Sequence, residues 1–272
     1  MSLPAEFYTQ GERFQLEKRR LFAREWLPFC AAGQIAAAGQ FVSHSIGGWP
    51  LFAIRGADGT VRGFRNLCRH QGMPVVEQPA GQCERLRCRY HGWTYDQTGA
   101  LVAAPPLVAP ADQAAPMHHL DALTVLETDG IVVVRGRGVD DAPAPEFGIG
   151  DTAYLTAITT DIDANWKAAI EALLADETWR LVWPIALAGA RGPVRVVRQI
   201  VPRSFSRTRL VDLLFGPPGT DAAAAVAPAR QQAEQAKLAA QALQTRRGAT
   251  DDGADAPAVT AFHAQLLAVC GA

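Results

Sequence analysis

Two short stretches carry metal-binding side chains at close spacing: CRHQG at 68 to 72 and CRYHGWTY at 88 to 95. The first supplies Cys68 and His70, the second Cys88 and His91, with seventeen residues between His70 and Cys88. Neither pair completes a coordination shell, so the two half-sites imply one shared centre. Two chemistries use such donors. Zinc takes two Cys and two His, but its common fingers bring like ligands together, a Cys pair and then a His pair on a helix. A [2Fe-2S] cluster held by two histidines on one iron and two cysteines on the other asks each loop for one of each, which is what these loops offer. Structural zinc stays as the alternative. Gly72 and Gly92 fit the cluster reading, because a chain wrapped around a cluster needs residues without Cβ and amides aimed at sulfur.

Such loops need a rigid frame. From 40 to 135 the runs FVSHSI, LFAIRG, TVRGFRNL, ERLRC and WTYDQTGALV are rich in aromatic and β-branched residues and are broken by turn signals at ADG, DQTG and TDG. That pattern predicts a small antiparallel sheet with both Cys/His pairs at loop tips. AAPPLVAPADQAAP, from 103 to 116, reads as an extended surface excursion. LTVLETDGIVVV reads as a last hairpin returning to the same sheet. Ahead of the strands, GERFQLEKRRLFAREW at 11 to 26 places Phe14, Leu21, Phe22 and Trp26 as an amphipathic helix would. By composition VDDAPAPEFGIGD, 139 to 151, is a linker. The division is then an N-terminal helical segment over 1–38, a cluster domain over 39–138, the linker and a second domain over 152–272. The second domain is expected to hold a helix from about 164 to 182, strands at PVRVVRQIV and RTRLVDLLF, an Ala/Gln-rich helix from about 221 to 246, and a closing helix in APAVTAFHAQLLAVC. The fold class is α+β.

A chain of 272 residues with 19% charged and 49% hydrophobic residues and a net charge of −1 suits one large or two modest domains with proper cores. No excess of basic residues points to nucleic acid or an anionic membrane surface. No stretch reaches the roughly 18 to 20 apolar residues of a membrane span, and the first residues lack an apolar signal core, so a cytoplasmic protein is expected. Five cysteines is an odd number, and two of them pair with histidines, which argues against a disulfide framework. Cys30 and Cys270 read as buried or incidental, and Cys83 as a strand residue.

Together, the C-x-H, seventeen-residue gap and C-x-x-H spacing, with HGWTYD and DQTGAL after it, resembles the Rieske domain of ring-hydroxylating oxygenase α subunits. FYTQGERFQLEKRRLFAREWLPFC and PLFAIRGADGTVRGFRNLCRH resemble the family's first helix and strands, and the resemblance runs from about 7 to 136. It implies a [2Fe-2S] cluster on Cys68, His70, Cys88 and His91, within an antiparallel β domain followed by a helix-grip-like α/β domain. Respiratory Rieske proteins brace their loops with a disulfide, but the corresponding places here are Met73 and Tyr90. Where they carry a serine after HG, this chain has Trp93, while Tyr95 is a candidate donor to a cysteine sulfur. Fewer hydrogen bonds to sulfur place the expected potential in the lower part of the Rieske range of roughly −150 to +300 mV.

In that family the cluster is a relay, and a second domain holds a mononuclear iron on two histidines and a carboxylate. The helix that carries them resembles NWKAAIEALLADETWRLVWP at 165 to 184, anchored at Asn165, Trp166, Lys167 and Glu171. The histidines do not follow. In one register their places fall on Thr178 and Trp183, in the next on Trp179 and Pro184, and no histidine occurs between His119 and His263. The catalytic residues are therefore unassigned and no mononuclear iron is expected, in a domain that looks shortened where the family lines its substrate pocket. Asp176 aligns in one register with the carboxylate that links neighbouring subunits in the family. A solvated aspartate on a helix is the plainer reading. His44 and His263 read as packing residues, and His118 with His119 as a pair that chelates only with outside help.

The expected function is electron transfer, or a non-catalytic role, beside an intact oxygenase α subunit in a trimer-like assembly. No G-x-G-x-x-G loop and no plant-type ferredoxin cysteine run occurs, so the electrons would come from a separate ferredoxin or flavin reductase. An active oxygenase with unrecognised iron ligands and a zinc-binding structural module are the alternatives.

Overall fold

The computed structural model describes residues 2–136, 138, 143–249 and 256–271. It is a mixed α and β structure with four antiparallel sheets. The cluster segments lie in two of them. One has the strand order Val61–Arg65, Trp49–Arg55, Gln40–Ile46, Ala80–Gln82, and the other Leu86–Arg87, Thr94–Tyr95, Leu101–Ala103. The first Cys/His loop runs from Val61–Arg65 to Ala80–Gln82, and the second joins Leu86–Arg87 to Thr94–Tyr95.

LFAIR is apolar on both faces because both faces are covered. Phe52 and Ile54 point into a core with Phe41, Phe64, Leu86, Tyr95, Cys68 and Cys88. Leu51 and Ala53 point the other way, into the main core. Phe52 and Phe64 are cross-strand partners with ring centroids 5.3 Å apart, a pairing that fixes the register on the cluster side.

LTVLETDGIVVV forms the expected hairpin but does not return to the cluster sheet. Its strands Thr124–Thr128 and Ile131–Arg135 pair instead with Leu27–Ala31 in a separate sheet. The TDG turn has positive φ at Asp129 and Gly130, as a two-residue hairpin turn with the right twist requires. IVVVR is buried along its whole length, with Val132 and Val134 in the main core and Ile131 and Val133 in a third core. A strand apolar on both faces must lie between two layers, and this one does. Asp129 Oδ2 accepts the backbone N–H groups of Phe147 and Gly148, tying the chain beyond the hairpin down. Of the linker expected over 139–151, residues 139–142 lie outside the described residues, while Phe147 and Ile149 are buried.

The last sheet has five strands in the order Ala153–Ile162, Thr208–Gly216, Val194–Pro202, Ala186–Arg191, Arg180–Val182. Helices Trp166–Leu174, Ala222–Ala249 and Pro257–Cys270 accompany it. Ala153–Ile162 and Ala186–Arg191 had no counterpart in the sequence reading. The helix expected over 164 to 182 is shorter. Asn165 caps it by accepting the Lys167 N–H at 3.0 Å, and it ends at Leu174. Asp176 then accepts the Thr178 N–H through Oδ1 and the Trp179 N–H through its carbonyl, a local alternative to helix that a short polar side chain favours. Arg180–Val182 is free to pair as a strand. At the N-terminus the helix expected over 11 to 26 is Gly11–Glu17 followed by a π turn at Lys18–Phe22, with a separate short helix Glu6–Thr9 ahead of it, and together they bury Phe7, Phe14, Leu21 and Phe22.

One apolar core contains Phe29, Val42 and Ile46 from the first half and Ile158, Trp166 and Leu214 from the second. Buried charges fasten the same junction. Lys167 Nζ donates to Glu17 Oε1 at 2.6 Å and Trp166 Nε1 to Glu17 Oε2 at 2.7 Å. Glu171 accepts from the Tyr8 hydroxyl at 2.5 Å and Arg247 Nε at 3.0 Å, and lies 3.0 Å from His263 Nε2. The N-W-K-x-x-x-E residues thus tie the helix at 166–174 to the first and last segments of the chain.

Candidate metal centre

The two Cys/His loops are built as the same turn. In the first, the Gly72 N–H donates to the Cys68 carbonyl at 2.8 Å and the Cys68 N–H to the Met73 carbonyl at 2.7 Å. In the second, the Gly92 N–H donates to the Cys88 carbonyl at 2.9 Å and the Cys88 N–H to the Trp93 carbonyl at 2.8 Å. Both glycines have a left-handed backbone, with φ of +73° and +72°. This conformation, more than crowding, is what glycine supplies at position 72, where an added Cβ would meet nothing within 4 Å. At Gly92 it would also meet Pro105 Cγ at 3.2 Å. The histidine is the second residue after the cysteine in one loop and the third in the other.

The turns separate the donors by depth. Cys68 and Cys88 are buried, His70 is half-buried and His91 is exposed. The two imidazoles meet edge to face with centroids 4.6 Å apart. Asn66, just ahead of the first ligand, is buried and braces its loop: Oδ1 accepts the Val75 and Val76 N–H groups, and Nδ2 donates to the Val76 carbonyl. Sequence reasoning passed over it, although a polar residue beside a ligand in an apolar strand end was the available signal.

Two side chains, Tyr95 and Trp93, lie close behind the donors. The Tyr95 hydroxyl, which accepts the Arg69 N–H at 3.0 Å, stands 3.2 Å from Cys68 Sγ. Burial pushes the Cys68 thiol up from its ordinary value, while the Tyr95 hydroxyl and the His70 backbone N–H act against that shift by favouring the thiolate. The buried Trp93 indole stacks on His70, centroids 5.1 Å apart and planes 14° from parallel, and its Nε1 donates to the Val108 carbonyl at 2.9 Å. Cys83 is half-buried, with its thiol pushed up by burial, and Cys30 and Cys270 are buried in the main core.

These residues fit an iron–sulfur cluster. His70 Nδ1 is buried and has no hydrogen-bond partner among the described residues, an orphan that a metal bond would satisfy. Among the described residues no three His, Cys, Asp or Glu side chains converge as one ion would require. Buried thiols below and imidazoles towards the surface suit two metals, one on sulfur and one on nitrogen.

A family model for the Rieske [2Fe-2S] domain matches residues 25–134. The chain is 34% identical over 184 residues to the glycine betaine monooxygenase oxygenase subunit of Chromohalobacter salexigens, covering 66% of this chain and 40% of that protein. It is 39% identical over 98 residues to the benzene 1,2-dioxygenase α subunit of Pseudomonas putida, covering 36% of this chain and 22% of that one. Residues 25–134 are a Rieske [2Fe-2S] domain, homologous to those of oxygenase α subunits. The chain spans about 40% of the length of the first curated relatives it matches. The fold extends the likeness past the Rieske domain. The crystal structure of the quaternary ammonium Rieske monooxygenase CntA with L-carnitine superposes with a TM-score of 0.83 at 19% identity, over 99% of this chain and 95% of that one. A further structure, of a quaternary ammonium Rieske monooxygenase, is described as giving insight into inter-subunit electron transfer in that enzyme.

Beyond the Rieske domain, the positions aligned with iron ligands are scattered. Thr178 and Asp176 lie in an exposed turn, and Trp179 is buried with the Arg198 guanidinium 4.8 Å over its ring. Trp183 packs on Phe262 and Pro184 is buried in the next turn. Asp176 is spent on the local turn. His44 stacks on Phe29 with its Nε2 3.0 Å from the Phe29 carbonyl, and His263 is buried against Glu171. His118 lies edge-on to Trp93, centroids 5.7 Å apart. No helix among the described residues is long and apolar enough to cross a membrane.

Proposed function

We propose that this chain carries a [2Fe-2S] cluster on Cys68, Cys88, His70 and His91 and passes single electrons to an oxygenase centre that it does not itself provide. The observation that carries this reading is the absence of any histidine from 120 to 262, with Thr178 and Trp183, or Trp179 and Pro184, standing where the family resemblance places iron ligands. Neither pair offers an imidazole, and the helix turns away into a strand before the second position.

Bound here, the cluster supplies reversible one-electron chemistry. The chain's own residues bury the thiolates, leave the imidazole side towards the surface and place the Tyr95 hydroxyl on a sulfur. That exposed side is the face for exchange with partners. The donor is a ferredoxin or flavin reductase, and the acceptor is a ligand-complete α subunit within the same oligomer. Inter-subunit transfer, named for a quaternary ammonium Rieske monooxygenase of like fold, supports this arrangement. Glycine betaine and carnitine, named for the relatives, make quaternary ammonium compounds the substrate class of that partner enzyme.

The test is reoxidation. The reduced protein is mixed with an intact α subunit from the same cell, and its visible spectrum is followed with oxygen and a betaine present. Substrate-dependent recovery of the oxidised spectrum only with the partner supports the proposal. A second reading, that the chain is itself an oxygenase, draws on the CntA-like fold over nearly all of its length. Substrate-dependent oxygen uptake by the purified chain alone decides for that reading and against ours.

A further inference from the structure

The ring of His70 is held by contacts from outside its own loop. Its imidazole touches two aromatic rings, His91 edge-on and Trp93 face to face. Trp93 is in turn fixed twice. Its Nε1 donates to the Val108 carbonyl at 2.9 Å, and the His118 imidazole lies against it edge-on at 5.7 Å and 81°. Val108 belongs to the Pro/Ala stretch at 103 to 116 that the sequence marks as a surface excursion, and His118 follows just after it. The run from Pro105 to His118 is anchored to both ligand loops: Arg69 Nε, beside Cys68, donates to the Met117 carbonyl at 3.2 Å, and Pro105 lies against Gly92. His118 itself is set in a short turn that starts at Pro116, its N–H donating to the Ala115 carbonyl at 2.9 Å.

We infer that His118 is a positioning residue for the cluster, fixing the plane of the His70 imidazole through the indole of Trp93. The inference rests on the cluster reading above. An imidazole bonded to iron through one nitrogen can still turn about that bond, and its plane governs both overlap with the metal and the direction of its other N–H. The wall against which His70 would turn is Trp93. The indole is already packed in the core beside the two cysteines and hydrogen-bonded at Nε1, and the edge-on ring of His118 adds a directional restraint on its plane, by the edge-to-face attraction that aromatic pairs prefer. The ring contact of His118 is with Trp93, so its effect on the centre passes through that indole.

The experiment compares His118→Ala, His118→Phe and Trp93→Phe with the parent, each purified with cluster bound. Reduced samples are examined by electron paramagnetic resonance and by pulsed measurement of the histidine nitrogen couplings, with iron per chain and thermal midpoint recorded alongside. A parent without a [2Fe-2S] signal refutes the cluster reading itself, separately from this inference. With the signal present, we expect His118→Ala to shift the g values and one set of nitrogen couplings while keeping full iron. His118→Phe, which keeps an edge-on ring, restores the parent spectrum. Trp93→Phe shifts the same couplings, and adding His118→Ala to it changes them little further. If His118→Ala lowers only the thermal midpoint and leaves couplings and g values at parent values, His118 is structural and the inference is wrong. Unequal shifts that add in the double variant also overturn it.

Discussion

The hydroxyl of Tyr95 stands 3.2 Å from the sulfur of Cys68 while accepting the N–H of Arg69 at 3.0 Å. With its lone pair engaged by the amide, the hydroxyl has its proton free for sulfur. A donor at that place stabilises the reduced, more negative cluster. Tyr95→Phe is therefore expected to lower the reduction potential by an order of tens of millivolts, since a change of about 59 mV corresponds to tenfold in a one-electron equilibrium. Redox titration of both proteins checks it, and an unchanged potential would remove Tyr95 from the account.

The ligand set has a sharper test. Cys68→Ser and His91→Ala are expected to bleach the visible spectrum, whereas Cys83→Ser, five residues before Cys88 and outside both turns, keeps full colour. Absorbance per chain and iron content measure this. Colour surviving in either ligand variant would show the assignment to be wrong.

Gly72 and Gly92 separate conformation from space. Both have positive φ, so alanine costs about 1 to 2 kcal/mol at each. Only Gly92 has a neighbour, Pro105 Cγ, at 3.2 Å from the added carbon. Gly92→Ala should thus be the more destabilising of the two in denaturant titrations. The reverse order would contradict the turn geometry.

Lys167 and Glu17 are both 0% exposed, and burial pulls the Lys167 ammonium below its usual range, against the pull of Glu17. Removing one partner strands the other. Lys167→Met is expected to cost about 3 to 5 kcal/mol, with Lys167→Met combined with Glu17→Gln costing clearly less than the sum of the two single changes. Equilibrium unfolding of the three variants checks it.

His44 links stability to pH. Burial lowers its pKa, with the Phe29 carbonyl acting in the opposite direction. The unfolded chain then takes up a proton near the ordinary histidine value, about 6.5, which the folded chain resists. Stability carried by neutral His44 is complete above that value and declines as pH falls through it. His44→Gln should flatten the slope of unfolding midpoint against pH between roughly 5 and 7. An unaltered slope would assign it to other groups.

The Rieske side was legible in the sequence because its signals are local. The ligand spacing, the TDG turn and the strand-forming composition of LFAIRG all act within a few residues. The second half was less so. ALLADETWRLV keeps helical propensity past Leu174, and the Asp176 turn together with the pairing of Arg180–Val182 with Ala186–Arg191 decides where the helix stops. AYLTAITTDI carries alternation weak enough to miss, and it becomes a strand by pairing with Thr208–Gly216. At the metal centre the donors were readable, but the partners brought from afar were not. Asn66 shows its role only once its loop is closed, and His118 only once the Pro/Ala stretch has folded back onto Trp93.

Iron per chain, with Mössbauer assignment of each iron, tests the central claim most directly. We expect about two irons, all in one antiferromagnetically coupled pair with unlike nitrogen and sulfur sites. A third, separate high-spin ferrous iron that responds to a quaternary ammonium substrate would contradict it.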